Sequence, residues 1–302
     1  MSSAKIPFEK EMQFEYGIAQ RVAPNVRRIV AENPSSFTHF GTNTYIVGEG
    51  AVAVIDPGPM IEEHVDKIEG ALNGETVTHI IVTHTHMDHS PAATWLKELV
   101  GAPIIGAHPK TLAAGETVEA HQEDFAPDEE ISNADELVGP GWTLEAVHTP
   151  GHMSNHHCFA LKEQNLLFSG DHVMGWNTTI VSPPDGNMGE YMDSLRVCID
   201  RDEDFYLPGH GPAITNAGPF VRAYLNHRSM REGQIARHLK NGADTIPELV
   251  RRMYTHLPEE MHGAAARSVQ AHMEHMVATK RAECDGPVRA NTIFSPGIAD
   301  LE

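Results

Sequence analysis

The run Thr83-His84-Thr85-His86-Met87-Asp88-His89 sets three histidines and an aspartate within six residues, directly after His79-Ile80-Ile81-Val82. A short β-branched run closed by polar residues reads as a buried strand. Side chains that follow such a strand point into a cleft, because the core they would otherwise join ends there. Imidazole and carboxylate are the ligand set of zinc. His-x-His lets His84 and His86 share one ion while Asp88-His89 turn toward a second. The chain is therefore expected to build a sheet whose strand ends gather around a metal-binding floor.

Three further segments repeat the arrangement. Thr149-Pro150-Gly151-His152 is a strand-to-loop turn ending in histidine, Ser169-Gly170-Asp171-His172 puts an aspartate directly after an apolar strand, and Pro208-Gly209-His210-Gly211 adds another histidine. Each candidate ligand sits by glycine, which permits the backbone angles and close approach that a strand-end site needs. The 20 histidines of the chain are well above ordinary usage, and these clusters are where they carry chemistry.

Around the clusters, strand-like runs dominate the first half: Val26–Val30, Asn43–Val47, Ala51–Ile55, His79–Val82, Pro103–Gly106, Thr143–His148, His157–Leu161 and Leu166–Ser169. Met60–Leu72 and Pro91–Val100 read as amphipathic helices between them. Two runs of strands, each with helices, predict an α/β fold of layered sheets with helices outside. From Pro219 onward helical patterns take over (219–240, 246–255 and 264–279), followed by a possible hairpin over 283–294. Three helices and a hairpin describe a winged-helix-like module. The expected domains are residues 1–225 and 226–302, joined within or at the end of a helix.

Composition narrows the function. Residues 1–225 carry 12 basic and 32 acidic side chains, and residues 226–302 carry 10 of each, so the net charge of −20 belongs to the first domain. Such a field repels long polyanions. The stretch Glu116–Glu136 holds nine carboxylates and no Lys or Arg, which reads as a solvated surface segment or, alternatively, a lid over a cationic substrate. Cys158, Cys198 and Cys284 form no C-x-x-C pair. Free thiols, with no signal core and no apolar run of about 18 residues, predict a soluble cytoplasmic protein.

From Asn43 to Gly211, through the turn Ile55-Asp56-Pro57-Gly58, the chain resembles the metallo-β-lactamase superfamily of binuclear hydrolases. The resemblance implies an αββα sandwich. It also implies that His84, His86 and His152 hold the first metal, that Asp88, His89 and His210 hold the second, and that Asp171 bridges. His148 is not the motif histidine. Within the superfamily the chain is most similar to the β-lactamase-like endoribonuclease branch, on Ser182-Pro183-Pro184-Asp185-Gly186, Tyr191-Met192-Asp193-Ser194-Leu195 and the Asn226-His227-Arg228 to Arg231-Glu232 helix. Two Zn²⁺ per chain are the implied cofactors, with iron or manganese as alternatives. In the oxygen-reducing diiron relatives a glutamate replaces the second histidine, and His86 argues against that branch.

The expected function is hydrolysis of a small carbonyl or ester substrate by a metal-bridging hydroxide. Asp88 is the expected catalytic group that orients the nucleophile. His172 is read in two ways, as a donor or proton shuttle on the open face or as a loop cap behind the ligands. The alternative functions are cleavage of single-stranded RNA and β-lactamase-type amide hydrolysis. Stacking aromatics and a basic groove, which single strands need, are sparse here. DNA and membranes are not expected partners, because Arg267 is the one basic residue in the first two turns of the candidate recognition helix. The C-terminal module is instead expected to cover the active-site mouth or to form a homodimer interface.

Overall fold

A computed structural model describes residues 6–300 except Gly115, Glu119, Ala243 and Leu257. Glu119, one of the nine acidic residues noted above, thus lies outside the described residues. Strand alternation generates the layers, since successive side chains of a strand face opposite ways. The first sheet runs in the order β1 (Gln20–Ala23), β2 (Val26–Val30), β3 (Asn43–Val47), β4 (Ala51–Ile55), β5 (Thr76–Ile81), β6 (Ile104–Gly106) and β7 (Glu129–Glu130). It is antiparallel up to β4 and parallel from β4 to β7. The parallel part needs crossovers, which α1 (Glu62–Leu72) and α2 (Ala92–Val100) provide.

The second sheet contains β8 (Glu136–Gly139), β9 (Trp142–His148), β10 (His157–Leu161), β11 (Leu166–Gly170) and β12 (Phe205–Pro208), with β12 parallel to β11 at one edge and β8 at the other. In β4, Val52 and Val54 face α1 and α2 with Ile68 and Leu96, whereas Ala53 and Ile55 face the other sheet with Phe159 and Phe168. In β11, Leu167 faces outward onto Tyr191 and Leu195 of α3 (Met188–Ile199) and Val221 of α4 (Ala217–Lys240). The result is the expected αββα sandwich with three apolar layers.

Helix α4 does not end at the sandwich. Phe220, Val221 and Tyr224 belong to the core of the second sheet's outer face, while Ile235, Ala236 and Leu239 join a separate core with α5 (Ile246–Met253) and α6 (His262–Ala278). The hairpin of β13 (Ala282–Cys284) and β14 (Phe294–Pro296) completes that module. The domain junction therefore lies inside one continuous helix. Among the described residues no helix is long and apolar enough to cross a membrane.

Sequence periodicity missed β1, β7, β8, β12 and α3. The first three are short edge segments with exposed residues, and edge strands lack the two-sided burial that produces a continuous apolar run. Helix α3 begins with Met188-Gly189, a weak helical start rescued by Asn187, whose side chain accepts from the Glu190 amide.

Trp142 fastens the two sheets together. Its indole nitrogen donates to the carbonyl of Ala51 at 3.0 Å, and a Cβ at Gly139 would lie 2.1 Å from the ring. Trp142→Ala should cost about 3–5 kcal/mol of stability in urea unfolding. A loss below about 1 kcal/mol would show that the two sheets are held together elsewhere.

Candidate metal centre

The site lies where the strands of both sheets end. The loop after β5 delivers His84, His86, Asp88 and His89, the turn after β9 delivers His152, the end of β11 delivers Asp171, and the turn after β12 delivers His210. The structure brings all seven expected ligand residues together. One group is His84, His86, His152 and Asp171, the other Asp88, His89 and His210, each with ligand atoms within 4.8 Å of one another.

Contact chemistry shows whether these groups suit cations. His86 Nδ1 lies 2.9 Å from His84 Nε2 and 3.0 Å from His152 Nε2. A proton on His86 Nδ1 can satisfy only one of the two facing nitrogens, whereas a cation between them satisfies all three. Tetrahedral zinc with Zn–N of about 2.0–2.1 Å needs nitrogens roughly 3.3 Å apart, close to what is observed. In the second group His210 Nε2 is 3.2 Å from both His89 Nε2 and Asp88 Oδ2. Asp171 faces both groups: Oδ2 is 3.7 Å from His152 Nε2, and Oδ1 is 3.4 Å from His210 Nε2 and 3.6 Å from His89 Nε2. Asp171 Oδ1 is buried with no hydrogen-bond partner. Buried carboxylate oxygens do not stay unpaired without cost, and the donor set fits a pair of divalent ions.

The ionisation states divide by neighbour. Burial, reinforced by the adjacent imidazoles, pushes His84 well below its ordinary value and His86 down to about 3, and burial also lowers His152. These three are neutral and offer lone pairs. Burial likewise disfavours charge on His210 and His89, but the carboxylates of Asp171 and Asp88 prevail, lifting His210 to about 10 and His89 well above its ordinary value. Against burial, His89 and His210 hold Asp88 well below the usual carboxylate range. The two carboxylates thus favour positive charge at the place where His89, His210 and Asp88 converge.

In His84, His89, His152 and His210 the other ring nitrogen is tied down, as ligand histidines require. Asp56 is the hub. Its Oδ1 accepts from the Thr83 amide at 2.8 Å, and its Oδ2 accepts from Thr83 Oγ1 and His89 Nδ1, each at 2.8 Å. Thr83 Oγ1 in turn accepts from His84 Nδ1 at 3.0 Å. One carboxylate therefore orients a ligand of each group. His152 Nδ1 donates to the carbonyl of Ile180 at 2.6 Å, and His210 Nδ1 to that of Gly41 at 3.2 Å. Asp56 adopts a left-handed backbone with φ 49°, which aspartate tolerates better than most residues. In the sequence Asp56 read only as part of a turn, because nothing marks an aspartate 27 positions upstream as the partner of Thr83.

His172 needs correction as a group on the open face. It is fully buried, its ring packs edge-on against Tyr191 at 5.0 Å, and it is absent from the cavity walls. Its backbone makes the contacts: its carbonyl accepts from Tyr191 Oη at 2.7 Å and from Thr179 Oγ1 at 3.0 Å. Both ring nitrogens are buried without a hydrogen-bond partner, so the side chain caps nothing and it is the backbone of His172 that ties this loop. His156 is a hydrogen-bonding neighbour of the site, with Nε2 accepting from the Asp171 amide at 3.1 Å. His157 points away and packs at a tilt against His148, ring centres 4.7 Å apart. Tyr45 is a core residue, donating to Pro208.

Above the ligands opens a cavity of about 420 Å³. His86, Asp88, His152, Asp171 and His210 form its floor, and Phe37, Met87, Val118, Met153, Met174, Ile180 and Pro183 are its apolar walls. Arg267 of α6 also lines it, so the C-terminal module does reach the mouth. From the acidic stretch, Val118 and Ala120 face the cavity, and the Ala120 carbonyl accepts from the Met87 amide at 2.8 Å. That packing had no signature in a run read by its charge.

Comparison with known proteins agrees with this geometry. The family profile of the Metallo-beta-lactamase superfamily matches residues 37–210, and that of the Beta-lactamase associated winged helix domain matches residues 245–287. The chain is 31% identical over 253 residues to an atrochrysone carboxyl ACP thioesterase of Aspergillus chevalieri, covering 80% of this chain and 77% of the relative. It is 30% identical over 257 residues to the Beta-lactamase-like protein 2 homolog of Caenorhabditis elegans, covering 83% of each. A Beta-lactamase domain protein from Burkholderia ambifaria superposes with TM-score 0.79 at 18% identity, over 95% of this chain and 96% of that one. These relatives are named as lactamase-like proteins and a thioesterase. The endoribonuclease branch expected from sequence therefore reduces to the superfamily with its winged-helix appendage.

Asp56→Asn replaces one of three accepted hydrogen bonds by a donor. It should weaken metal affinity about 10- to 100-fold in chelator competition, with circular dichroism unchanged. Wild-type affinity would remove Asp56 from the ligand-orienting role.

Proposed function

Since the chain belongs to the metallo-β-lactamase superfamily and is a metallo-hydrolase of that fold, we propose that it hydrolyses a small ester or thioester with an apolar acyl part, using two zinc ions. The observation that carries this reading is the cavity, whose apolar walls end on a floor of metal ligands. Bound there, two divalent ions would lower the pKa of water toward 7 and polarise the substrate carbonyl.

The protein's own residues supply the rest. Asp171, facing both groups, offsets cationic charge and fixes their separation. Asp88 directs Oδ2 at His210 and is the most exposed of the carboxylates at the site, which leaves its other oxygen to hold the proton of an attacking water and align it. Phe37, Met87 and Ile180 would exclude solvent from the reacting carbonyl, which strengthens every charge interaction inside. The thioester preference is supported by the thioesterase at 31% identity. A small substrate is supported over a nucleic-acid strand because Arg267 is the one Lys or Arg among the described lining residues.

Zinc-loaded protein should be assayed with acyl thioesters, esters, lactones, lactams and single-stranded RNA. Thioester or ester turnover that His84→Ala lowers by at least about 1,000-fold is expected. RNA cleavage exceeding it in kcat/KM would overturn the proposal.

A further inference from the structure

Helix α4 carries two buried charged residues one turn apart, Arg228 and Glu232, both almost inaccessible. Burying such groups is costly unless each is fully engaged, so their partners reveal what the helix holds. Glu232 serves the C-terminal module: it takes His275 Nδ1 at 2.7 Å and pairs with Arg281. Arg228 faces the other way. Its Nη2 donates to the carbonyl of Thr179, and its guanidinium lies 5.1 Å from the centre of the Tyr191 ring.

The Thr179-Ile180 peptide that Arg228 grips is itself part of the metal centre's support. Thr179 Oγ1 donates to the carbonyl of Asp171 at 2.8 Å, and the carbonyl of Ile180 accepts from His152 Nδ1 at 2.6 Å. A second anchor on the same loop also comes from α4, where Tyr224 Oη donates to the carbonyl of Met174 at 2.6 Å. The first ligand group is thus supported in two halves. His84 is held by Asp56 and Thr83 from the first sheet, whereas His152 and Asp171 are held by a loop clamped from α4.

We propose that Arg228 is a positioning residue for the metal centre: through Thr179-Ile180 it sets His152 and the shared Asp171, so the helix that carries the winged-helix module is part of the metal site's construction. This inference stands whatever the substrate is. A guanidinium suits the role, since it stays charged when buried and spans a carbonyl and an aromatic face together.

The test compares Arg228→Met, Arg228→Lys, Thr179→Val and Glu232→Gln, reading zinc retained after dialysis, the visible spectrum with Co²⁺ and the melting temperature. Arg228→Met and Thr179→Val should bind metal about 10- to 100-fold more weakly with altered Co²⁺ bands. Arg228→Lys, which can still donate to Thr179, should recover most of the affinity. Glu232→Gln should lower the melting temperature yet keep both metals and the wild-type spectrum. If metal loss follows the melting temperature alone across the four variants, Arg228 is merely structural and the proposal fails. Thr179→Val, close in shape to the original, keeps the test open should Arg228→Met not fold. Wild-type metal affinity in that variant would also refute the proposal.

Discussion

The shared carboxylate of Asp171 is the constraint to which the rest of the site answers. One oxygen faces His152 and the other faces His89 and His210, inside a protein whose burial would by itself forbid the charge. A carboxylate in that position needs cations on both sides, and six further ligand residues are arranged to hold them. Hydrogen bonds donated to Asp56, Ile180 and Gly41 then settle which nitrogen of His89, His152 and His210 is free to bind.

The sandwich exists to make that convergence possible. Ligands from β5 and its loop come from the first sheet, and those after β9, β11 and β12 come from the second. Neither sheet alone could close the site. Trp142 and the facing rows of Ile55, Ile81, Phe159 and Phe168 hold the sheets in register, so the separation of the ligands is set by apolar packing. Glycines after the second sheet's strands let the chains approach: a Cβ at Gly209 would lie 2.7 Å from Asp171 Oδ1 and from His89.

How much of this could be read beforehand follows from the range of each interaction. The seven ligands were legible because each sits in a local pattern that survives without knowledge of the fold: a dense run of histidine and aspartate after a strand for His84, His86, Asp88 and His89, and strand, turn and glycine for His152, Asp171 and His210. The central strands and α1, α2, α5 and α6 were legible from periodicity. Asp56, Thr179 and Arg228 were not legible in their actual roles, since Asp56 and Arg228 act across long stretches of chain and each of the three engages a backbone group, which leaves no trace in residue identity. His172 misled because adjacency to Asp171 suggested a shared direction, whereas the turn after β11 sends its ring behind the site toward Tyr191. The described carboxylates of the acidic stretch are exposed, in keeping with a solvated segment, but composition gave no sign that Val118 and Ala120 are what it presents to the cavity.

The charge asymmetry also acquires a physical meaning. With divalent ions held on the floor beneath the apolar walls, an acidic domain would repel a long polyanion at a distance while leaving a local electrophilic site. Everything above depends on two cations sharing Asp171, which anomalous diffraction from crystals of the metal-loaded protein tests directly. Two peaks per chain, about 3.5–4 Å apart, are expected, one among His84, His86 and His152 and one among Asp88, His89 and His210, with Asp171 between them. A single peak, or two peaks with Asp171 bound to only one, would contradict the shared-carboxylate centre.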